Sequence, residues 1–576
     1  MVSSFHLYAQ DALAIQLNLL DAESLPKKVK FQDKLALKNL DKELNSLLLD
    51  LRRKGYWEAS IDTIYCDSLA CQLNLHLGAK LQLKSLTNGN IEAKYWNKLG
   101  IKKSQDALAI GNLNKAESDL LKMYENAAFP FAEVWLDSIS IQGNELEASL
   151  FAEKHDSILI DTLIIFGDTK SKTKFIQRYL GIQPGDPYNQ QKIDAISKKL
   201  RQLPYLLESK ASELFFTTSG VSISLFLQKQ KSSQFNLLLG VLPNDQLSGK
   251  KITITGEGRL QLQNFFGVGE ELFVEFEQLK PRTQNLDIKM SYPYFLNSPI
   301  GLFGAFNLYK NDSLFIDIKS EIGVQYQFGG FNQLKLSYSN HSSNVLNADT
   351  SLIKSSASLP SILDLRNNSY GLALELQNLN YVLNPTKGFK FILKGSLGLN
   401  KIKVNQSIAS LEAYDGTLLQ SRYDSLDLKK VNYALNFQYS QFIPIAKRST
   451  FLLQNKSASF IAKNVLTNEK FRIGGYKILR GFDEEAIYTP YYSIFTTEFR
   501  FLLSKNSFVG AFGDFAIVED ERKGAGFVDF PIGFGLGLSL ETKAGLFSLN
   551  YALGKNLDNK IQIRNGKIHF GFISIF

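Results

Sequence analysis

A chain of 576 residues exceeds one ordinary core, so two or more domains are expected. No run approaches the ~20 apolar residues of a spanning helix, and 42 Phe and 24 Tyr against 3 Trp, 3 Met and 14 Pro favour strands. The formal charge of +9 is scattered without a stripe or cluster, which argues against nucleic acid as a partner.

The opening "MVSSFHLYAQDA" lacks a basic start and a full apolar stretch, yet Ala9 precedes Gln10 as the small residue ending a clipped secretory signal would. Residues 1–11 are read as a residual leader. Three α+β units are then expected, over 12–79, 80–156 and 157–230. Helical periodicity in "DKLALKNLDKELNSLLLDLRRKG", "NLNKAESDLLKMYENA" and "NQQKIDAISKKLRQL" gives way each time to alternation. Tyr56, Phe129 and Tyr205 recur in comparable places about 75 residues apart, the mark of an internal repeat. Cys66 and Cys71, in "IYCDSLACQL", flank a short turn between strands. An oxidising compartment would preserve a disulfide there, and two free thiols are the alternative; the residues leave both open. The five histidines are dispersed, so no metal site is expected.

From about residue 231 the pattern contains no helices, and segments of period-two alternation follow one another to the end. About sixteen such segments fit a 16-stranded antiparallel transmembrane β-barrel over 231–576. Connectors alternate: "GVG", "NSPIG", "FGGFN", "LNPTKG", "IPIAKRS", "SKNS" and "TKAG" are short, while those near 342–366, 399–429 and 463–490 are long. Short turns on one side and long loops on the other are the outer-membrane pattern, which puts the N-terminal units on the short-turn, periplasmic side. The first strand, "FNLLLGVLP", is expected to end at Pro243, which cannot donate to a ladder.

A plain channel has no need of "RIGGYKILRGFDEE", residues 472–485. With the architecture around it, this stretch resembles the outer-membrane protein assembly and translocation factors, the BamA/TamA superfamily, over nearly the whole chain. The resemblance implies POTRA repeats before the barrel. It also implies a sixth outer loop whose arginine-glycine-aromatic motif, here Arg480, Gly481 and Phe482, folds into the lumen. The acidic partners it implies are Glu498 in "FTTEFRF" and Asp514 in "GAFGDFA". Alternation independently puts Glu498 on the face of Thr496 and Arg500, opposite Phe495 and Phe499. Gly474 and Gly475 would let the loop turn sharply. The ending "HFGFISIF" resembles the family's C-terminal assembly signal at His569, Gly571 and Phe576, with Ser574 departing from it.

The resemblance implies a factor that inserts or translocates β-barrel or autotransporter-like clients. Its partners would be unfolded outer-membrane client proteins, outer-membrane lipids, and accessory lipoproteins or an inner-membrane partner. Export of one dedicated polypeptide by two-partner secretion is the alternative. No Gly-x-Ser-x-Gly elbow or converging catalytic set occurs, so neither an enzyme nor a cofactor is expected.

Overall fold

The computed structural model describes residues 13–22, 25–26, 29, 34–35, 40–66, 70–100, 111–218, 220–245, 250–280, 282–329, 331–519, 526–542, 545–556, 561, 563 and 566–575. The expected leader, residues 1–11, therefore lies outside the described residues. Two compact units divide the chain: 1–161, 184–193 and 216–221 in one, and 162–183, 194–215 and 222–576 in the other.

Three successive sheets share one plan. In the first, Leu13–Leu19 runs parallel to Ala70–His76, which pairs antiparallel with Ser60–Cys66. In the second, Gln82–Asn88 runs parallel to Glu145–Glu153, which pairs antiparallel with Glu133–Gln142. The third orders its strands as Ile160–Phe166, Val221–Lys229 and Leu206–Phe216. Each time the first strand neighbours the third, so the intervening helices must cross over, as a parallel pair requires. Helix Leu40–Arg53 buries Leu40, Leu44, Leu47 and Leu51 at helical spacing against the first sheet. Helix Gly111–Glu125 likewise buries Leu120 and Tyr124 among Ile91, Leu150 and Ala152.

The second unit is dominated by a barrel of sixteen long strands, from Gln234–Asp245 to Lys567–Ile575, with a two-residue strand, Val528–Asp529, beside the thirteenth. Adjacent strands pair antiparallel throughout, and the first meets the last at Gln234↔Ile575 and Phe235↔Ser574. Among the described residues each barrel strand is paired along both edges except at this seam, where the ladder covers only these two positions. The tenth strand, Lys429–Ala446, shows the two faces. Val431, Tyr433 and Leu435 are half exposed on the outside, while Asn432 between them is buried in the lumen.

Three expectations need correction. The first strand runs through Pro243, which stays in register with Ile252, to Asp245. A proline lacks only its N–H, so it can keep its place in a strand whose other neighbour leaves it unpaired. Most of "IPIAKRS" belongs to strands: the tenth continues to Ala446 with a register shift after Pro444, leaving Lys447 and Arg448 as the turn. Helices also persist beyond residue 231, at Thr350–Ser356, Gln406–Ala409 and Leu419–Asp424. They are too short to show a period. Asp349 starts the first of them by accepting from the amides of Ser351 and Leu352 at 3.1 and 3.0 Å. These helices pack Ile353, Ile408, Leu419 and Tyr423 into a small separate core over the long-connector side.

The third repeat meets the short-connector rim within the second unit. Helix Thr173–Leu180 sets Phe175 edge-on to Tyr294 and Tyr179 edge-on to Phe331, each pair 5.9 Å between ring centres. Ser171 accepts from Asn264 Nδ2 at 2.8 Å. The third repeat therefore joins the barrel at its short turns.

Candidate functional site: a connector folded into the barrel

The connector between the eleventh strand, Ser449–Ala462, and the twelfth, Tyr491–Leu502, is the sixth on the long side. It opens as a small hairpin, Phe471–Ile473 against Ile487–Thr489. Gly474 and Gly475 follow at φ 124° and 82°, where other residues are strained. A side chain on Gly474 would strike the Asp483 carbonyl, and one on Gly475 the Glu484 carboxylate.

Arg480 sits at the tip. Its Nε and Nη2 donate to the two oxygens of Asp514 at 2.8 and 2.7 Å, and its Nη1 donates to Glu498 Oε2 at 2.8 Å. The Arg480 amide adds a 3.2 Å bond to Asp514. The planar fork thus fills one carboxylate with two parallel bonds and still reaches a second. Below it the guanidinium carbon lies 3.5 Å from the centre of the Phe512 ring, and Thr496 Oγ1 donates to Asp514 at 2.8 Å. Phe482 is buried with Ile473, Leu479, Ile494, Ala516 and Val518.

Gly481, at φ 89°, brings the backbone against the wall. Thr496, Asp514, Gly533 and Gly554 form one row across the twelfth to fifteenth strands, each in register with the next. A Cβ on Gly533 would run into the Arg480 carbonyl, and one on Gly554 into that of Gly481. Two facing glycines make a flat seat for the loop. The sequence reading missed them, because glycines spaced through a strand look like ordinary lumen positions until the register is known.

It also missed the opposite wall. Arg472 Nη1 donates to Asp317 Oδ2 at 3.2 Å, Tyr309 donates to Glu485 at 2.6 Å, and Lys477 donates to Glu275 at 2.9 Å and to Glu277. Asn468 Nδ2 bonds Ser343 Oγ and the Leu363 carbonyl at 2.7 and 2.9 Å. Lys430 meets Glu469 at 2.8 Å with both side chains buried. The loop is tied to strands around much of the circumference.

The remaining predicted residues lie apart from this cluster. His569 and Gly571 are in the last strand, in register with Asn550 and Ser548, and Phe576 is outside the described residues. Cys66 and Cys71 face each other across their hairpin with their sulfurs joined. Alkylation of the unfolded protein should accordingly label neither cysteine before reduction and both after it. Equal labelling in the two states would mean free thiols.

Residues 264–574 match the Omp85 superfamily domain, and residues 158–210 match the surface antigen variable number repeat, POTRA. The first match spans more than half of the chain, which belongs to the Omp85 superfamily. No curated protein sequence matches it. Among solved structures, CdiB from Acinetobacter baumannii is similar at 13% identity and TM-score 0.53, covering 94% of this chain and 97% of that one. CdiB from Escherichia coli gives the same identity and TM-score, covering 94% of this chain and 98% of that one. BamA from Haemophilus ducreyi lacking POTRA domains 1-3 aligns at 13% identity and TM-score 0.43, covering 86% of this chain and 100% of that one. The protein is an outer-membrane barrel with POTRA repeats in the periplasm, of a superfamily that handles protein clients in that membrane. The long connectors are then outer loops, and 463–490 is the sixth of them.

Proposed function

We propose that this protein inserts or translocates β-barrel or autotransporter-like clients, received by its periplasmic repeats and released through the barrel wall. One observation carries the reading: the loop is tied firmly across the lumen, whereas the wall is weakly closed at one seam. Clearing the lumen would break the Arg480, Arg472, Lys477 and Lys430 contacts together. Among the described residues, parting the first and last strands breaks a ladder of two residue pairs, against seven between the fifteenth and sixteenth strands. The wall is therefore the less costly exit, and an extended client can add to a strand edge through main-chain hydrogen bonds. Arg480 with Glu498 and Asp514 would anchor the loop that keeps the lumen shut, and His569, Gly571 and Phe576 would mark the strand that closes the barrel.

Depletion of the protein followed by outer-membrane proteomics tests this. Loss of several barrel or autotransporter-like proteins is expected. Loss of one secreted polypeptide, with the barrels unchanged, would favour dedicated two-partner secretion instead.

A further inference from the structure

The fourth periplasmic connector, residues 380–387, does not end at the rim. Asn380 closes its neck: Oδ1 accepts from the amides of Thr386 and Lys387 at 3.1 and 3.0 Å, and Nδ2 donates to Thr386 Oγ1 at 2.8 Å. The segment so formed reaches sideways across the mouth. Thr450 Oγ1, at the start of the eleventh strand, donates to the Thr386 carbonyl at 2.6 Å. Asn384 Nδ2 donates to the Lys505 carbonyl at 3.1 Å, in the sixth periplasmic connector.

Asn384 is buried, and its other side-chain atom faces inward. Oδ1 accepts from Arg500 Nη1 at 3.3 Å. Arg500 Nε donates to Glu498 Oε1 at 2.7 Å, and the second oxygen of that same carboxylate receives Arg480. An unbroken line of polar contacts thus runs from a periplasmic turn to the tip of an outer loop. Arg500 has little freedom to leave it. Its guanidinium carbon lies 4.8 Å from the Phe508 ring centre and 5.7 Å from that of Phe442. Glu498 is the shared element: a carboxylate is rigid and planar, so the guanidinium on one oxygen sets where the other oxygen points.

We propose that Asn384 and Arg500 are positioning residues for the Arg480 anchor. The periplasmic connector holds Arg500, Arg500 orients Glu498, and Glu498 presents its free oxygen to the outer loop. This rests on the reading of Arg480 as the loop's anchor, and it puts the state of the periplasmic mouth in contact with the firmness of that loop. The connector is well placed for such a role. Tyr381, Leu383 and Asn384 line a cavity of about 720 Å³ at the mouth, together with Gln234 and Gln261 of the first two strands and Leu546 of the fifteenth.

The test is the rate at which a protease of broad specificity cuts within 474–486 in the purified full-length protein, with heat-modifiable gel mobility reporting barrel integrity. Asn384→Ala and Arg500→Gln should each speed cutting several-fold while mobility is unchanged. The double variant should cut no faster than Arg500→Gln alone, because contacts in series do not add. Asn384→Asp keeps an oxygen for Arg500 but loses the Nδ2 donor to the Lys505 carbonyl, so its cutting should fall between wild type and Asn384→Ala. Wild-type cutting in Asn384→Ala would overturn the proposal. So would equal acceleration by Asn384→Asp and Asn384→Ala, which would mean packing of the turn and not the bond to Arg500. If Asn384→Ala loses its heat-modifiable mobility, Arg500→Lys takes its place: intermediate cutting is expected, and a wild-type rate overturns the relay. Arg480→Ala is the control that separates the two readings. Unchanged cutting there removes the anchor and the relay with it, whereas faster cutting there with no effect of Asn384→Ala removes the relay alone.

Discussion

Arg480→Ala is expected to free the sixth outer loop and abolish complementation of a depletion strain, while the barrel remains folded. The substitution leaves Asp514, whose side chain is 2% exposed, without either of its parallel bonds, and leaves Glu498 facing only Arg500. Breaking a buried pair by removing one partner costs roughly 3–5 kcal/mol, because the other charge stays behind. That cost falls on the loop and not on the strands. The ladders from the eleventh to the fifteenth strand do not use the arginine side chain, so heat-modifiable mobility should persist. A loop of this length gains entropy once its tip is released, and the contacts at Arg472 and Lys477 then hold it from one side only. Arg480→Lys should restore function in part, since an ammonium can meet one carboxylate but cannot fork across two. Wild-type loop protection and full complementation in Arg480→Ala would show that the ion pairs are incidental to function.

The residues of that cluster were readable from the chain for a definite reason. Period-two alternation assigns faces without any knowledge of register, so Glu498 could be placed in the lumen from its own strand, while Asp514 came from the resemblance. Arg480 was singled out by the resemblance of Arg480, Gly481 and Phe482 to the family's motif, in a glycine-rich connector of the right ordinal position. The repeats were readable in the same way, because Leu40, Leu44, Leu47 and Leu51 carry a helical period of their own. Contacts that depend on how distant strands are staggered were not readable. Asp317, Tyr309 and Glu275 look like any lumen polar residues until closure of the barrel sets them opposite Arg472, Glu485 and Lys477. Asn384 belongs to this class too, since its turn reads as a plain hairpin connection. Local rules also overreached at Pro243: the missing N–H was taken to end a strand whose pairing with its second-strand neighbour continues past it.

Gly533→Ala should unseat the loop nearly as effectively as Arg480→Ala, although it removes no charge and no hydrogen-bonding group. Alanine ordinarily suits a strand better than glycine. Here the added methyl would occupy the place of the Arg480 carbonyl oxygen, and that atom belongs to backbone that cannot swing aside as a long side chain would. Either the loop lifts or the fourteenth strand shifts. The strand is held in register on both sides, to Asp514 and to Gly554, so the loop is the part that moves. Lifting it draws the guanidinium away from Asp514 and Glu498 together, which is why one methyl group should approach the effect of losing the arginine. Gly554→Ala presses on the Gly481 carbonyl and should act in the same direction. The control is Gly395→Ala in the ninth strand, where a Cβ meets nothing within 4 Å and loop protection should match wild type. Equal protease protection of 474–486 in Gly533→Ala and Gly395→Ala would mean that the loop does not rest on the glycine pair, and the close approach of Arg480 to the wall would have to be given up.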